Sequence, residues 1–163
     1  MKLKSNDWRL HMKKLVGLLI GVLMLTACVN EEFSNSVEEF DISNFFANVE
    51  IDNVIYPLAK GGYTWTEKSL LEQRTVTTDH ASPNQQAEKM EAIIVAKGAE
   101  VKVSIEEQPD LTVFAWTEKG KESEITIKND SFHVASEPGV YVYEIVATWK
   151  QGHRSYVLKV KVQ

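Results

Sequence analysis

The 163-residue chain contains a single cysteine, Cys28, and this scarcity limits how any folded part can be stabilised. One thiol excludes an intramolecular disulfide, and it also excludes a zinc site built from several cysteines. No uncharged run reaches the roughly 20 residues that a membrane-spanning helix requires. A packed core must therefore supply the stability, and a chain of this length suits one modest core.

Basic residues are also scarce once the first 27 residues are set aside. Of the 18 basic and 23 acidic side chains, five basic and one acidic precede Cys28, so the remainder has a net charge of −9. Phosphate binding requires clustered lysine and arginine, and an anionic membrane surface attracts the same residues. The composition therefore predicts no nucleic-acid partner, and it disfavours a domain that lies flat on anionic lipid.

The motifs of several common enzyme classes are missing as well. The chain has no glycine-rich phosphate loop, no paired-histidine metalloprotease motif and no Gly-x-Ser-x-Gly turn. Serine, histidine and aspartate are present, but their spacing singles out no catalytic triad. We therefore predict a protein that is not an enzyme and that needs neither a cofactor nor a metal.

The region before Cys28 has the pattern of a secretory signal peptide. Two lysines after Met12 precede 13 uncharged residues, numbers 15–27, which is the length of a signal-peptide core and short for a permanent span. The residues before Met12 include an aspartate and a tryptophan, which are unusual in such a leader. Translation therefore starts at either Met1 or Met12, and both starts leave the same mature chain.

The leader ends in Leu25-Thr26-Ala27-Cys28, which resembles the lipobox of bacterial lipoproteins. This resemblance implies a diacylglyceryl group on the Cys28 thiol and cleavage between Ala27 and Cys28, so that residues 1–27 are the signal peptide. Two acyl chains hold a protein on a membrane far more durably than one. The expected location is the outer face of the cytoplasmic membrane. The alternative is an ordinary cysteine that follows a conventional signal peptide.

The segment that follows the predicted anchor is expected to be a tether. Residues 28–44 are rich in Glu, Asp, Ser and Asn, a composition that favours a solvated spacer. Phe33, Val37 and Phe40 have helical spacing, so a short helix is the alternative. Residues 45–163 are then the predicted folded domain.

The predicted domain has the pattern of an all-β protein with one short helix. Apolar and polar residues alternate in 101–105, and the last two strands, 140–149 and 156–162, are the clearest. Lys159 on the final strand is placed on the outer face, where it is expected to contribute little to stability. The remaining predicted elements are strands in 46–56, 63–65, 74–78, 92–96, 111–116, 125–128 and 132–135, and a helix that runs from the N-cap Ser82 to Met90.

The closing pair of strands indicates an immunoglobulin-like antiparallel β-sandwich. Tyr141 follows the turn Pro138-Gly139 and is similar to the tyrosine corner of such domains, although their disulfide is absent here. The alternation in 140–149 places Tyr143 and Ile145 on one face, with apolar residues opposite as well. This strand is therefore predicted to be central.

Short motifs in 62–68, 78–83, 113–116 and 138–144 resemble surface lipoproteins of Bacillus-type Gram-positive bacteria. The resemblance covers most of residues 50–163. It supports a lipobox leader followed by an immunoglobulin-like domain, and it implies no particular activity.

Asp79 and His80 are the strongest sequence candidates for a functional pair. They precede the turn at Ser82, in a polar stretch that could present a carboxylate and an imidazole together. A metal or catalytic site needs three or four converging groups, and the sequence nominates no partner. An aspartate that stabilises a turn explains the same residues. The pair is retained as a tentative binding loop.

Other chemically suggestive residues are expected to be structural. His133 and His153 have no ligand-spaced neighbours, and Trp65 and Trp116, each of which begins a Trp-Thr-Glu-Lys repeat, are expected to pack in the core. Two acidic runs, 106–107 and 118–124, contain oxygen ligands of the kind that calcium prefers. A solvated hairpin tip is the expected role for the second run, because lysines interrupt it.

The predicted function is a non-enzymatic binding or interaction module held on the membrane through Cys28. Its loops or a sheet edge are expected to engage an envelope protein or a wall polymer. One alternative is a metal-dependent or hydrolytic enzyme centred on Asp79 and His80. A second alternative is a regulatory lipoprotein that senses the state of the envelope.

The anchor can be tested directly at Cys28. We expect the wild-type chain to incorporate a labelled fatty acid in growing cells, and Cys28→Ala to lose the label and either leave the membrane or remain an uncleaved precursor. A wild-type protein that is cleaved and secreted without label would contradict the predicted anchor.

Overall fold

A computed structural model describes residues 42–163. The predicted signal peptide, the cleavage site at Ala27 and Cys28, and the tether up to residue 41 lie outside the described residues. None of the helices within 42–163 is long and apolar enough to cross a membrane. The first described residues form a short 3-10 turn, Ile42–Asn44, and Ile42 and Phe45 are both buried.

Eleven strands and one short α-helix make up the described part of the chain. A four-stranded sheet has the order β2-β1-β6-β9, and a seven-stranded sheet has the order β4-β3-β11-β10-β7-β8, with β5 parallel to the end of β11. The elements are β1 (Ala47–Ile51), β2 (Val54–Pro57), β3 (Ala59–Lys68), β4 (Gln73–Thr78), α1 (Pro83–Ala87), β5 (Ile93–Val95), β6 (Glu100–Ile105), β7 (Asp110–Thr117), β8 (Gly120–Ile125), β9 (Ser131–His133), β10 (Gly139–Trp149) and β11 (Gly152–Val162).

The core lies between the two sheets. Alternate residues of β6 are fully buried, as the apolar–polar alternation predicts. They face the inner residues of β10 and β11, among which Ile145 and Tyr156 have no exposed surface. The predicted all-β sandwich is therefore confirmed. The inner residues of both sheets form one cluster: Ala47, Val49, Ile51, Val101, Val103, Ile105, Val113, Phe132, Tyr143, Ile145, Ala147, Tyr156, Leu158, Val160 and Val162.

The second half of the chain has the strand order of an immunoglobulin-like domain. β6 pairs with β9 in one sheet, and β7, β10 and β11 are adjacent in the other, with β8 at the edge. The predicted tyrosine corner is present, because Tyr141 Oη donates to the carbonyl of Glu137 at 3.0 Å. Tyr143 is buried in the core, and its Oη accepts a hydrogen bond from the Ala135 amide at 2.9 Å. This bond connects the segment before the tyrosine corner to the core.

Two adjacent strands replace the single strand predicted over 46–56. Asp52 and Asn53 both have positive φ, 52° and 64°, and they form the two-residue turn between β1 and β2. Positive φ at both central residues matches the right-handed twist of the flanking strands, and Asp and Asn tolerate it better than most residues. The sequence did not indicate this turn because the residues on both sides of it are rich in Val and Ile, as in one continuous strand.

The strand predicted over 125–128 is wrong in position. β8 runs over Gly120–Ile125, most of which was expected to be a solvated tip, and only an isolated bridge between Lys128 and Ser131 follows it. Charged edge strands discourage pairing with other chains, which accounts for a strand without an apolar pattern. The predicted turn at Asn129-Asp130 is confirmed by its positive φ values.

The predicted helix is present, although it is shorter than expected. Ser82 and Gln85 form a reciprocal capping box, with the Gln85 amide 3.4 Å from Ser82 Oγ. The helix covers part of the outer face of the seven-stranded sheet, and Lys159 Nζ donates to the carbonyls of Ala87 and Met90 at 2.7 and 2.9 Å. Lys159 lies on the outer face as predicted, but it holds the end of the helix and is not a neutral surface residue.

The core assignment can be tested at Ile145. We expect Ile145→Ala to lower the free energy of unfolding by about 2 to 5 kcal/mol, the usual range for an emptied buried aliphatic site. Lys161 is the matched control because it is exposed on β11, so Lys161→Ala should stay within about 0.5 kcal/mol. Urea melts of both variants measure the difference. Similar small effects would show that the inner and outer faces are exchanged.

A second test uses the buried tyrosines. Burial raises the pKa of both Tyr143 and Tyr156. The hydrogen bond from the Ala135 amide offsets part of the rise at Tyr143, and the positive charge of Arg154 offsets part of the rise at Tyr156. The unfolded chain ionises its tyrosines near pH 10, whereas these two stay neutral in the fold. Their contribution to stability is therefore present below about pH 10 and is lost as the pH rises further.

We expect the free energy of unfolding to fall more steeply between about pH 10 and 11.5 for the wild type than for Tyr156→Phe. The Tyr156 hydroxyl makes no well-formed hydrogen bond among the described residues and interacts with the polar side chain of Arg154, so its removal should change stability at pH 7 only slightly. Denaturation curves across this range measure the slope. Identical slopes would contradict a buried neutral phenol at this position.

Candidate functional site

The predicted pair Asp79 and His80 lies in the irregular segment between β4 and the helix. Both side chains are exposed. Gly62 of β3 lies beneath them, since a Cβ at this glycine would be 3.6 Å from the His80 Cβ. The pair thus occupies an open linker at the surface, where water competes for both groups.

The other sequence candidates are separated from this pair. His133 on β9 and His153 on β11 are exposed on different sheets. Across residues 42–163, no group of three or more His, Cys, Asp or Glu side chains is arranged to hold a metal ion. Trp65 is buried as predicted, whereas Trp116 is half-buried and donates to the Glu144 carboxylate at 3.0 Å, a carboxylate that Lys121 also contacts.

The feature that stands apart from the compact sandwich is the far end of the β3–β4 hairpin. Thr66 makes the last contact with the main sheet, through its amide and the Gln151 carbonyl at 2.8 Å. From Thr66 to Thr75 the two strands pair only with each other among the described residues. We call residues 66–75 the arm.

The base of the arm is held by close backbone contacts with β11. The pairing shifts by one residue between Arg154 and Tyr156, opposite Gly61 and Gly62, so β3 carries a bulge there. At Gly152, a Cβ would overlap the Thr64 carbonyl oxygen. Glycine is required at Gly152 because the two backbones approach too closely for a side chain.

An aromatic cluster and a buried arginine hold the start of the domain against the base of the arm. Phe45, Trp65 and Trp149 make edge-to-face contacts with ring centres 5.6 to 6.3 Å apart. Arg154 is 6% exposed and donates through Nη1 to the Ile42 carbonyl at 2.6 Å. A buried cation bonded to this carbonyl fixes the position at which the chain enters the domain.

The outer strand of the arm is an open sheet edge. β4 pairs with β3 on one side, and no described strand pairs with its other side. Five of its six residues are exposed, and its sequence, Gln-Arg-Thr-Val-Thr-Thr, contains one charged residue. The opposite edge strand, β8, carries Lys121, Glu122 and Glu124. The charges on β8 discourage it from pairing with another strand, whereas the composition of β4 is suited to such pairing.

Threonine pairs link β3 and β4 within the arm and just below it. The hydroxyl oxygens of Thr64 and Thr77 are 3.3 Å apart, and those of Thr66 and Thr75 are 2.9 Å apart. Directly opposed threonines contribute to the stability of an antiparallel pair. The exposed strand is therefore held in an extended conformation.

The tip of the arm exposes two leucines. Ser69 Oγ accepts a hydrogen bond from the Glu72 amide at 3.0 Å, and the Ser69 amide donates to the Glu72 carbonyl at 2.8 Å. This ordered turn presents Leu70 and Leu71, whose exposed fractions are 104% and 95%. Two adjacent, fully exposed large apolar side chains on a closed turn are unusual for a solvated loop.

Sequence analysis located the strands of this hairpin but missed the arm as a surface. Trp65 is buried as expected, and the charged residues Glu67 and Lys68 that follow it continue the strand beyond the core. The available signal was the Leu70-Leu71 pair, which is bounded by Ser69 and Glu72 and fits the alternation of neither strand. An adjacent apolar pair in a turn indicates exposure rather than burial.

Comparisons of the chain with models of protein families, with curated proteins and with solved structures find no significant match. Function is therefore argued from the geometry of the described residues.

Proposed function

We propose that the protein is a lipoprotein anchored through Cys28 on the outer face of the membrane, and that its domain is a non-enzymatic module that binds an extended polypeptide. The binding surface is the open edge of β4, and the partner is a segment of an envelope protein. The lipobox pattern supports the anchor. The exposed, uncapped edge of β4 is the observation that carries the binding role.

Strand addition at this edge follows from the side of β4 with which no described strand pairs. An edge strand presents a row of N–H and C=O groups that another extended chain can satisfy, and side chains that alternate along the strand then supply specificity. The threonine pairs reduce the entropy lost on binding because the edge is already extended. Val76, the apolar residue of the edge, is 36% exposed and lies between two threonines.

The enzyme alternative at Asp79 and His80 gains no comparable support from the geometry. Both residues are exposed, and the described residues place no third metal ligand beside them. The pair lies directly after β4, so a partner strand on the edge would end near it. Asp79 and His80 are therefore retained as side chains at the end of the binding edge.

The proposal can be tested by crosslinking in intact cells. A photoreactive amino acid at Val76 should capture an envelope protein, whereas the same group at Ile55 should not. Ile55 is the matched control because it is 68% exposed on β2, an edge strand of the other sheet. Replacement of Thr75 and Thr77 by lysine, the residue with which natural edges block pairing, should remove most of the product at Val76.

Two outcomes would contradict the binding edge. Equal capture at Val76 and Ile55 would indicate nonspecific contact, and capture that survives the double lysine substitution would place the partner elsewhere. Circular dichroism of the double variant should still show the folded β domain, because both threonines are exposed and their replacement removes only two side-chain hydrogen bonds of the hairpin.

A further inference from the structure

We infer that the tip of the arm dips into the lipid bilayer that carries the anchor, with Leu70 and Leu71 as the inserted side chains. This inference rests on the proposed lipoprotein anchor. It assigns the tip an occupant, a lipid surface, that is distinct from the polypeptide proposed for the edge of β4.

The tip has the form of a small apolar projection. Beyond Thr66 the hairpin continues for four residues to Leu70, so at the usual rise per residue the tip extends about 13 Å past the main sheet. Both leucines are exposed almost completely, and the Ser69 turn keeps them at the outermost point. Nothing in the described part of the chain would be displaced if they entered the hydrocarbon.

The arm projects from the end of the domain at which the chain enters. Ile42, the first described residue, is in one cluster with Phe45 and Trp65, and Trp65 precedes Leu70 by only five residues. The β10–β11 turn is at this same end, because Gly152 pairs with Trp65. The tether and the leucine tip therefore leave the domain at the same end, which we call the entry end.

The length of chain outside the described residues places the entry end near the membrane. Thirteen residues separate Cys28 from Ile42, which span at most about 45 Å when fully extended and about 20 Å as an average coil. The long strand β10, with 11 residues, is about 35 Å in length. At the average coil length, the entry end and the tip are the parts of the domain most easily within reach of the bilayer.

Two leucines by themselves bind a membrane weakly, but the lipid anchor strengthens this binding by keeping the domain at the surface. A lipid-anchored domain faces its own bilayer at a high effective concentration, so a second, weak contact forms without any cost of association from solution. The two contacts together, acyl chains and tip, orient the domain. The open edge of β4 then stands upright from the surface, where a partner strand can reach it.

The charge of the domain also favours insertion of the leucine tip into the bilayer over adsorption of one whole face of the domain to the lipid headgroups. The chain from Cys28 onward has a net charge of −9, and the tip itself is flanked by both Lys68 and Glu72. An acidic domain is repelled by anionic headgroups, whereas burial of leucine depends little on salt or on headgroup charge. The contact should therefore persist on zwitterionic lipid.

The experiment uses the mature, lipidated full-length chain in vesicles of phosphatidylcholine. In this chain the sulfur of Cys28 is held in a thioether, so Leu71→Cys introduces the one free thiol for a nitroxide label. Val140→Cys is the matched control, since Val140 is 58% exposed at the opposite end of β10. Electron spin resonance measures the access of oxygen, which enters lipid, against that of a nickel chelate, which remains in water.

We expect a label at residue 71 to be at least about fivefold less accessible to the chelate than the label at residue 140, and to be more accessible to oxygen. The ratio should not change when anionic lipid or salt is added. Equal access of the chelate at both positions would overturn the inference. Protection of residue 71 that depends on protein density, with spin–spin broadening, would also overturn it and would assign the tip to a second copy.

Mass spectrometry of the same preparation separates this inference from the proposed function. A lipidated chain whose tip remains in water would overturn the tip contact alone. A mature chain without the diacylglyceryl group would overturn the proposed anchor, and the tip inference with it.

Discussion

The pairing of β10 with β11 is the constraint on which the other elements depend. The two strands are in register over all 11 residues, from Gly139 opposite Val162 to Trp149 opposite Gly152. β7 attaches to the free side of β10, and β3 and β5 share the free side of β11. Both faces of this pair are occupied, the inner one by the core and much of the outer one by the helix. Strands buried on both faces have a fixed register, because a slip of one residue would exchange the two faces.

A second fixed point lies where the chain enters the domain. Arg154 is brought there by its place on β11, and its bond to the Ile42 carbonyl ties the first described turn to the central strands. Phe45, Trp65 and Trp149 enclose the same region. The position of Ile42 is consequently coupled to the position of the base of the arm, because the same few contacts set both.

The parts of the fold that sequence analysis predicted are those in which periodicity and burial agree. β6 alternates strictly because one face lies on the core, and the inner residues of β10 and β11 are apolar for the same reason. The turn at Asp52-Asn53 was missed because its signal is backbone conformation, and the apolar residues on either side are compatible with one continuous strand. β8 was misplaced because an edge strand needs no apolar face. Sequence analysis missed the arm because its two features are an open edge and an exposed tip. Both depend on the order of the strands in the sheet, which the sequence does not show.

The contrast among the sheet edges has a consequence for stoichiometry. β8 is charged, β9 and β5 have only three residues each, and β2 ends at Pro57, so β4 is the one edge of the described strands that is both long and uncharged enough to accept another strand. A molecule with one competent edge can take part in one strand pairing at a time. Two copies that met through β4 would form a closed, twofold-symmetric pair, with no second edge left to recruit a third copy. Among the described strands, the arrangement of edges therefore leaves room for a single added strand and offers no second edge for the open-ended stacking by which exposed sheets form fibres.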